Sequence, residues 1–251
     1  MTSINNSYNF NTGFFIPKTN LKGFSANTIP VFSPANDGYS SNPLLEIFGT
    51  KAEIEATAKT NPRIQEILME YNLPLKVNEN ELEKLKKGHL QKTRITAAKI
   101  YSNLPADMKS EVNLKELQEA AMLHDYGKVL IPDRILNKQG NLNAEEWAIM
   151  QQHSELGSEL LKDKNLSART KELIKFHHQD KVGKGYPLAN STYEHRLDSE
   201  ILSVADKFEA LIEKRSYKDA LPKAEALALI EKDVHNNKIS QEVFNALKKA
   251  V

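Results

Sequence analysis

Five of the seven histidines, with one aspartate, stand where imidazole and carboxylate groups could converge. An α-helix turns about 100° per residue, so each side chain can be placed against the apolar stripe of its own helix. Over 81–101, Leu82, Leu85, Thr93 and Ile100 define a stripe with His89 at its centre. Over 113–125, Leu114, Leu117 and Ala121 define another; Asp125 falls on it and His124 on its flank. His177 shares a face with Leu173 and Ile174, and His178 adjoins it. His153 sits at the edge of the face holding Met150 and Gly157. A core-facing carboxylate is costly without a cation. No Lys or Arg shares the stripe of Asp125 at helical spacing, so a metal or an ion pair across the core must answer it. One histidine on an apolar face is usually a satisfied core residue; five with an aspartate point to ligation. Imidazole and carboxylate donors without thiolate suit Mn, Fe, Ni or Zn. Six such groups exceed one tetrahedral zinc site, which implies a dinuclear centre.

The elements that must position these groups are helical. Asn61-Pro62 reads as a helix start, an Asn cap with Pro in the first turn. Ile64, Ile67, Leu68 and Tyr71 then recur at helical spacing, and Asn72 with Pro74 stops the run. Further helices are predicted over about 81–101, 113–125, 144–161, 167–178, 194–214, 222–235 and 239–250. Asn143-Ala-Glu-Glu146 is a capping-box variant. No stretch alternates at period two, so the expected fold class is all-α. In 194–214 the stripe is Leu197, Ile201, Val204, Phe208 and Leu211, and periodicity places Asp206 almost opposite it, as a solvated charge.

These residues also form motifs. His124-Asp125-Tyr-Gly-Lys128 resembles the HDxGK signature of HD-domain phosphohydrolases. His177-His178-Gln-Asp-Lys-Val-Gly-Lys-Gly-Tyr-Pro187 is similar to the HHExxDGxGYP signature of the HD-GYP subfamily. Ile131 to Leu136, His153-Ser-Glu-Leu-Gly157 and Val204-Ala-Asp206-Lys-Phe208 resemble further segments of that subfamily, and the likeness covers about 80–220. It implies a helical bundle that hydrolyses cyclic di-GMP at a bi- or trinuclear metal centre. The implied ligands are His89, His124, Asp125, His153, His177, His178 and Asp206, with Asp125 bridging two ions. Lys128 would be catalytic with Asp125, positioning phosphate and the attacking water. Arg215 and Lys218 would contact phosphate, and Tyr186 and Pro187 would lie beside the site. Leu85 stands where some members carry a Glu for a third metal, which favours two divalent transition-metal ions, iron or manganese first. Gln179 and Val182 replace Glu and Asp, Glu200 an Arg and Glu209 an Asp, while Lys214 and Ser216 replace the Asp and Pro flanking Arg215. The altered loop from Gln179 to Pro187 is expected to govern substrate choice.

Composition limits the alternatives. The 251 residues carry 34 Lys+Arg, 33 Asp+Glu and no cysteine. Thiolate metal sites, disulfides and Cys nucleophiles are excluded. A net charge of +1 argues against a general nucleic-acid binder. No apolar run is long enough to span a membrane, and the expectation is a cytoplasmic chain with a small nucleotide as partner. Residues 1–43 carry three charges and no period, yet seven of the 18 aromatics; they read as a disordered tail. Residues 44–78 read as an N-terminal helical extension and 79–251 as the HD-GYP-like domain. The functional expectation is a phosphodiesterase acting on a cyclic dinucleotide. The alternatives are an HD-type phosphohydrolase of another nucleotide or phosphate ester, and a non-catalytic signalling module.

Overall fold

The structure, a computed structural model, describes residues 46–87, 89–188, 193–214 and 219–251, without the side chain of His89. The expected tail at 1–43 lies outside the described residues, as do Arg215 and Lys218.

The described residues are helical, without strands. In chain order the helices are α1 (Lys51–Thr60), α2 (Pro62–Glu70), α3 (Glu79–Lys86), α4 (His89–Ser102), α5 (Ala106–Lys109), α6 (Leu114–Leu123), α7 (Asp133–Leu136), α8 (Ala144–Gln151), α9 (His153–Leu160), α10 (Ala168–Phe176), α11 (Leu197–Ile212), α12 (Lys223–His235) and α13 (Gln241–Ala250). A 3-10 turn, Tyr126–Leu130, follows α6.

Local chemistry sets these boundaries. The Asn61 side chain accepts the Arg63 and Ile64 N–H groups at the start of α2, and Asn143 and Glu146 form the expected capping box on α8. Two predicted helices are each two helices. The run over 81–101 gives α3, which ends at Lys86 with Lys87 as its cap, and α4, which starts at His89. His89 therefore opens α4, and Leu85 is fully buried in the core. The run over 144–161 breaks at Gln152, whose N–H turns back onto the Ile149 and Met150 carbonyls. The His153 ring takes the Met150 carbonyl as well, so the break swings His153 out of the α8 register.

Helix α4 is central, packing on α6, α11 and α13, while α10 bridges α6, α9 and α11. The buried residues form one core. Phe48, Ile54, Ile64 and Ile67, from the expected extension, belong to it together with Leu117, Leu173 and Phe208. Polar contacts tie the same segment to α9: Arg63 lies 3.1 Å from Glu155, and the Asn61 amide donates to Glu159 at 3.0 Å.

Glu200, which stands where an Arg is usual, is 5% exposed. It accepts the Ser240 N–H and, at 2.5 Å, the Ser240 hydroxyl. It thereby fastens the start of α13 to α11.

Candidate metal centre

Three helices end in a histidine, or next to one, that folds back on the last turn. The Nδ1 of His124 lies 3.0 Å from the Ala121 carbonyl oxygen. That of His153 lies 2.6 Å from Met150 O, and that of His177 lies 2.8 Å from Ile174 O. A carbonyl accepts only, so each Nδ1 must carry the proton. Each bond partners a carbonyl near a helix C-terminus, fixes the tautomer and turns Nε2 away from the helix.

The freed Nε2 atoms converge. His153 Nε2 is 3.3 Å from His177 Nε2 and 3.3 Å from His178 Nε2. In the tautomer set by their Nδ1–H bonds, His153 and His177 turn lone pairs toward one another, an arrangement that asks for a cation between them. Burial reinforces the neutral form. It holds His153 down to about 3 and His178 down to about 4, and holds His177 well below the ordinary imidazole range.

Carboxylates complete the cluster. Asp125 Oδ2 lies 3.4 Å from His124 Nε2, and its Oδ1 lies 3.4 Å from His153 Nε2. The two oxygens of one buried side chain thus face two different imidazoles. Asp206 Oδ1 is also 3.4 Å from His124 Nε2. No contact to that nitrogen has hydrogen-bonding geometry, and it is a buried polar atom without a partner. Burial opposes charge on His124, but Asp125 and then Asp206 raise its pKa to about 10. Burial likewise opposes charge on Asp125; Lys128 and His124 override it and hold the carboxyl well below its usual range. Asp206 is lowered against burial by His124.

The donor set fits a divalent cation. His153, His177 and His178 present ligand atoms within 4.8 Å of one another, and so do His124, Asp125 and His177. Imidazole and carboxylate without thiolate suit first-row metals, and the Nδ1–H···O=C bonds are the outer contacts that orient such ligands.

Several expectations change on the structure. Asp206 does lie off the α11 stripe, but that face is not solvent: it meets the imidazole of His124, and the side chain is only 20% exposed. Asp125 does have a cation nearby in sequence. Lys128 Nζ lies 2.6 Å from Oδ2, at the i+3 spacing at which helical neighbours also meet; the helix expected over 113–125 stops short of it, and the 3-10 turn Tyr126–Leu130 carries the chain on. His89 opens α4 with its side chain outside the described residues.

The loop after His178 covers the cluster. Gly185 has φ +123°, and a Cβ there would lie 1.9 Å from the His178 carbonyl oxygen. Tyr186 stacks on His178 with ring centres 4.4 Å apart, and burial raises its phenol pKa. Pro187 follows a cis peptide bond. Gln179, 1% exposed, donates its amide to the Pro187 carbonyl, and its Oε1 is buried without a partner. The side chain therefore closes the loop from inside. Asp180 organises the turn, accepting from Val182 N at 3.2 Å and Lys184 N at 2.7 Å.

A family model described as an HD domain matches residues 74–243. A 3'3'-cGAMP-specific phosphodiesterase of Vibrio cholerae is 40% identical over 134 residues, 53% of this chain and 25% of its own length. A cyclic di-GMP phosphodiesterase of Thermotoga maritima is 40% identical over 142 residues, 56% of this chain and 38% of its own length. The chain thus spans well under half the length of either relative. Among solved structures, the HD domain of the phosphodiesterase PgpH from L. monocytogenes aligns over 65% of this chain and 89% of its own, with TM-score 0.47 and 18% identity. No described helix is long and apolar enough to cross a membrane.

Proposed function

The chain belongs to the HD-domain family, and from that premise we propose that it is a metal-dependent phosphodiesterase hydrolysing a cyclic dinucleotide of the cyclic di-GMP class. One observation carries the reading: three buried histidines spend their Nδ1–H groups on helix-end carbonyls and turn Nε2 toward a shared point beside Asp125. The two relatives described above, named for phosphodiester hydrolysis of cyclic dinucleotides, support it.

We assign the ligands as His89, His124, Asp125, His153, His177, His178 and Asp206, with Asp125 as the bridge because its two oxygens face different imidazoles. These residues would hold two divalent ions, iron or manganese, whose chemistry would be to lower the pKa of a water toward neutrality and to offset charge on the phosphoryl group. The chain's own residues do the rest. Lys128 holds an ammonium at the edge of the cluster, its side chain 18% exposed, where it can offset charge gathering on a phosphate. Tyr186 roofs His178 and keeps bulk water from that side. Arg215 and Lys218 are assigned to phosphate contacts on the sequence motif alone.

The test is elemental analysis of the purified chain combined with turnover of cyclic di-GMP and 3'3'-cGAMP by the same sample. The two relatives match this chain equally, at 40% identity each, so both substrates belong in the assay. Bound transition metal with turnover of at least one, lost on chelation and restored by iron or manganese, is the expected result. A metal-bound protein that cleaves bis(4-nitrophenyl) phosphate but neither dinucleotide would transfer the assignment to another phosphate ester. A protein with neither metal nor turnover would be a binding module.

A further inference from the structure

Trp147 is the single tryptophan of the chain, and it is 47% exposed. It does not belong to the core; in α8 the buried position is Ile149. Its one ring neighbour among the described aromatics is Tyr186, at 5.9 Å and 84° between planes. A right-angled contact covers one indole face at most. Tyr186 in turn lies 4.4 Å from the His178 ring and 6.1 Å from the His153 ring. The indole therefore sits two ring-to-ring steps from the convergent imidazoles, within the span from a nucleotide's phosphate through its ribose to its base.

The helix that carries Trp147 is fixed where it matters. The capping box of Asn143 and Glu146 locks the first turn of α8, and Lys138 pairs with Glu146, the residue next to the tryptophan. A large flat side chain is thus held on a rigid turn beside the cluster, half in water. Indole stacks on any base through its π-face, and such contacts tolerate sequence change.

We propose that Trp147 is a substrate-binding residue, its exposed indole face stacking on one purine base of the cyclic dinucleotide while the phosphodiester lies over the His/Asp cluster. The proposal rests on the functional reading above and adds a residue to it. Tyr186 then does two things: one ring contact shields His178, and the other sets the orientation of Trp147. Stacking raises affinity without touching the reacting phosphate, so the effect falls on KM rather than kcat.

Because Trp147 is the sole tryptophan, intrinsic fluorescence reads this one side chain. The metal-reconstituted full chain is titrated with a phosphorothioate analogue of cyclic di-GMP that resists hydrolysis. Saturable quenching of tryptophan emission is expected. In parallel, Trp147→Ala should raise KM for cyclic di-GMP by roughly 5- to 100-fold, with kcat within about threefold and metal content at the wild-type level, and Trp147→Phe should recover most of the loss. Emission unchanged at saturation, or an unaltered KM in Trp147→Ala, overturns the assignment. Loss of bound metal in Trp147→Ala also overturns it, because the indole would then act only by packing Tyr186 onto His178. If the wild-type chain hydrolyses neither cyclic di-GMP nor 3'3'-cGAMP, the functional reading fails and the stacking role fails with it. If it hydrolyses one and the fluorescence is silent, the stacking role alone fails.

Discussion

The backbone of Gly127 lies against the backbone of His153: a Cβ on Gly127 would stand 1.9 Å from the His153 carbonyl oxygen and 2.4 Å from the Gly157 nitrogen. On the other side, a Cβ on Gly157 would stand 2.9 Å from the Gly127 nitrogen. The two glycines let the 3-10 turn press directly on the first turn of α9. That approach brings Asp125, two residues before Gly127, within 3.4 Å of His153 Nε2. The glycines of the two motifs thus set the approach of Asp125 to His153.

Gly127→Ala should therefore separate the turn from α9. The clashing atoms are backbone on both sides and cannot step aside as a flexible side chain would. The expected cost is about 1–3 kcal/mol or more, with reduced metal content. Gly140→Ala, at an open position with φ +98°, is the control: it should lose only about 1 kcal/mol of stability, from the backbone strain it introduces, and keep its metal. Urea denaturation with elemental analysis of both variants checks this. Equal effects would mean that the close approach is not needed.

Asp125→Asn keeps the shape of the side chain and removes its charge. The carboxyl is held ionised by Lys128 and His124 against its burial, and its two oxygens face two imidazoles. Removing the charge should lower metal content below that of the wild type and reduce turnover by at least a hundredfold. The measurement is metal stoichiometry and kcat on one preparation. Full occupancy with a near-normal rate would show that Asp125 is not a shared ligand.

Metal removal should destabilise the fold. The proposed ligands come from α4, from the ends of α6 and α10, from the first residue of α9 and from α11, so an ion bound among them would tie those helices together and has no such site in the unfolded chain. At about 100 times the dissociation constant, binding adds about 2.7 kcal/mol. For a domain of this size that corresponds to roughly 5–10 °C in Tm. Differential scanning calorimetry with chelator, then with added manganese or iron, reads the difference. An unchanged Tm across those conditions would count against a site spanning several helices.

How far the sequence discloses this site depends on the kind of signal each residue carries. Asp125 on an apolar stripe is legible, because burying a carboxylate demands an explanation. Asp206 is not, because hydrophobic period knows only core and solvent, and a metal centre is a polar interior that reads as outside. The motif resemblance points to Asp206 where periodicity alone puts it in water. The breaks at Gln152 and before His89 escape a period-based reading for a different reason. The first carries no Gly or Pro and depends on His153 taking the Met150 carbonyl, a contact between side chain and backbone that spacing does not encode. Lys128 escapes because the expected helix ends at 125, while the chain continues as a 3-10 turn that keeps residue i+3 beside Asp125. The loop residues Gln179 and Val182 are visible as departures from a motif, but only the fold discloses that Gln179 points inward.

That inward orientation changes what Gln179→Glu should do. A motif comparison alone suggests that glutamate would improve contact with a guanine. In the structure the side chain is 1% exposed, and its amide N–H group is the part that works, donating to the Pro187 carbonyl. An ionised glutamate has no proton to give, and the outer oxygen would inherit the place of Oε1, which already lacks a partner. Two acceptors would then face one another in a buried space, a loss of about 1–3 kcal/mol. The loop should release Pro187, and with it Tyr186 from His178. The expected outcome at neutral pH is faster proteolysis within 180–188 and a fall in turnover that is similar for cyclic di-GMP and for bis(4-nitrophenyl) phosphate. Gln179→Leu, which also lacks the donor but buries no charge, should release the loop with a smaller loss of stability. A rise in cyclic di-GMP turnover alone, with the loop as resistant as in the wild type, would mean that residue 179 reaches the substrate and that the latch is not its role.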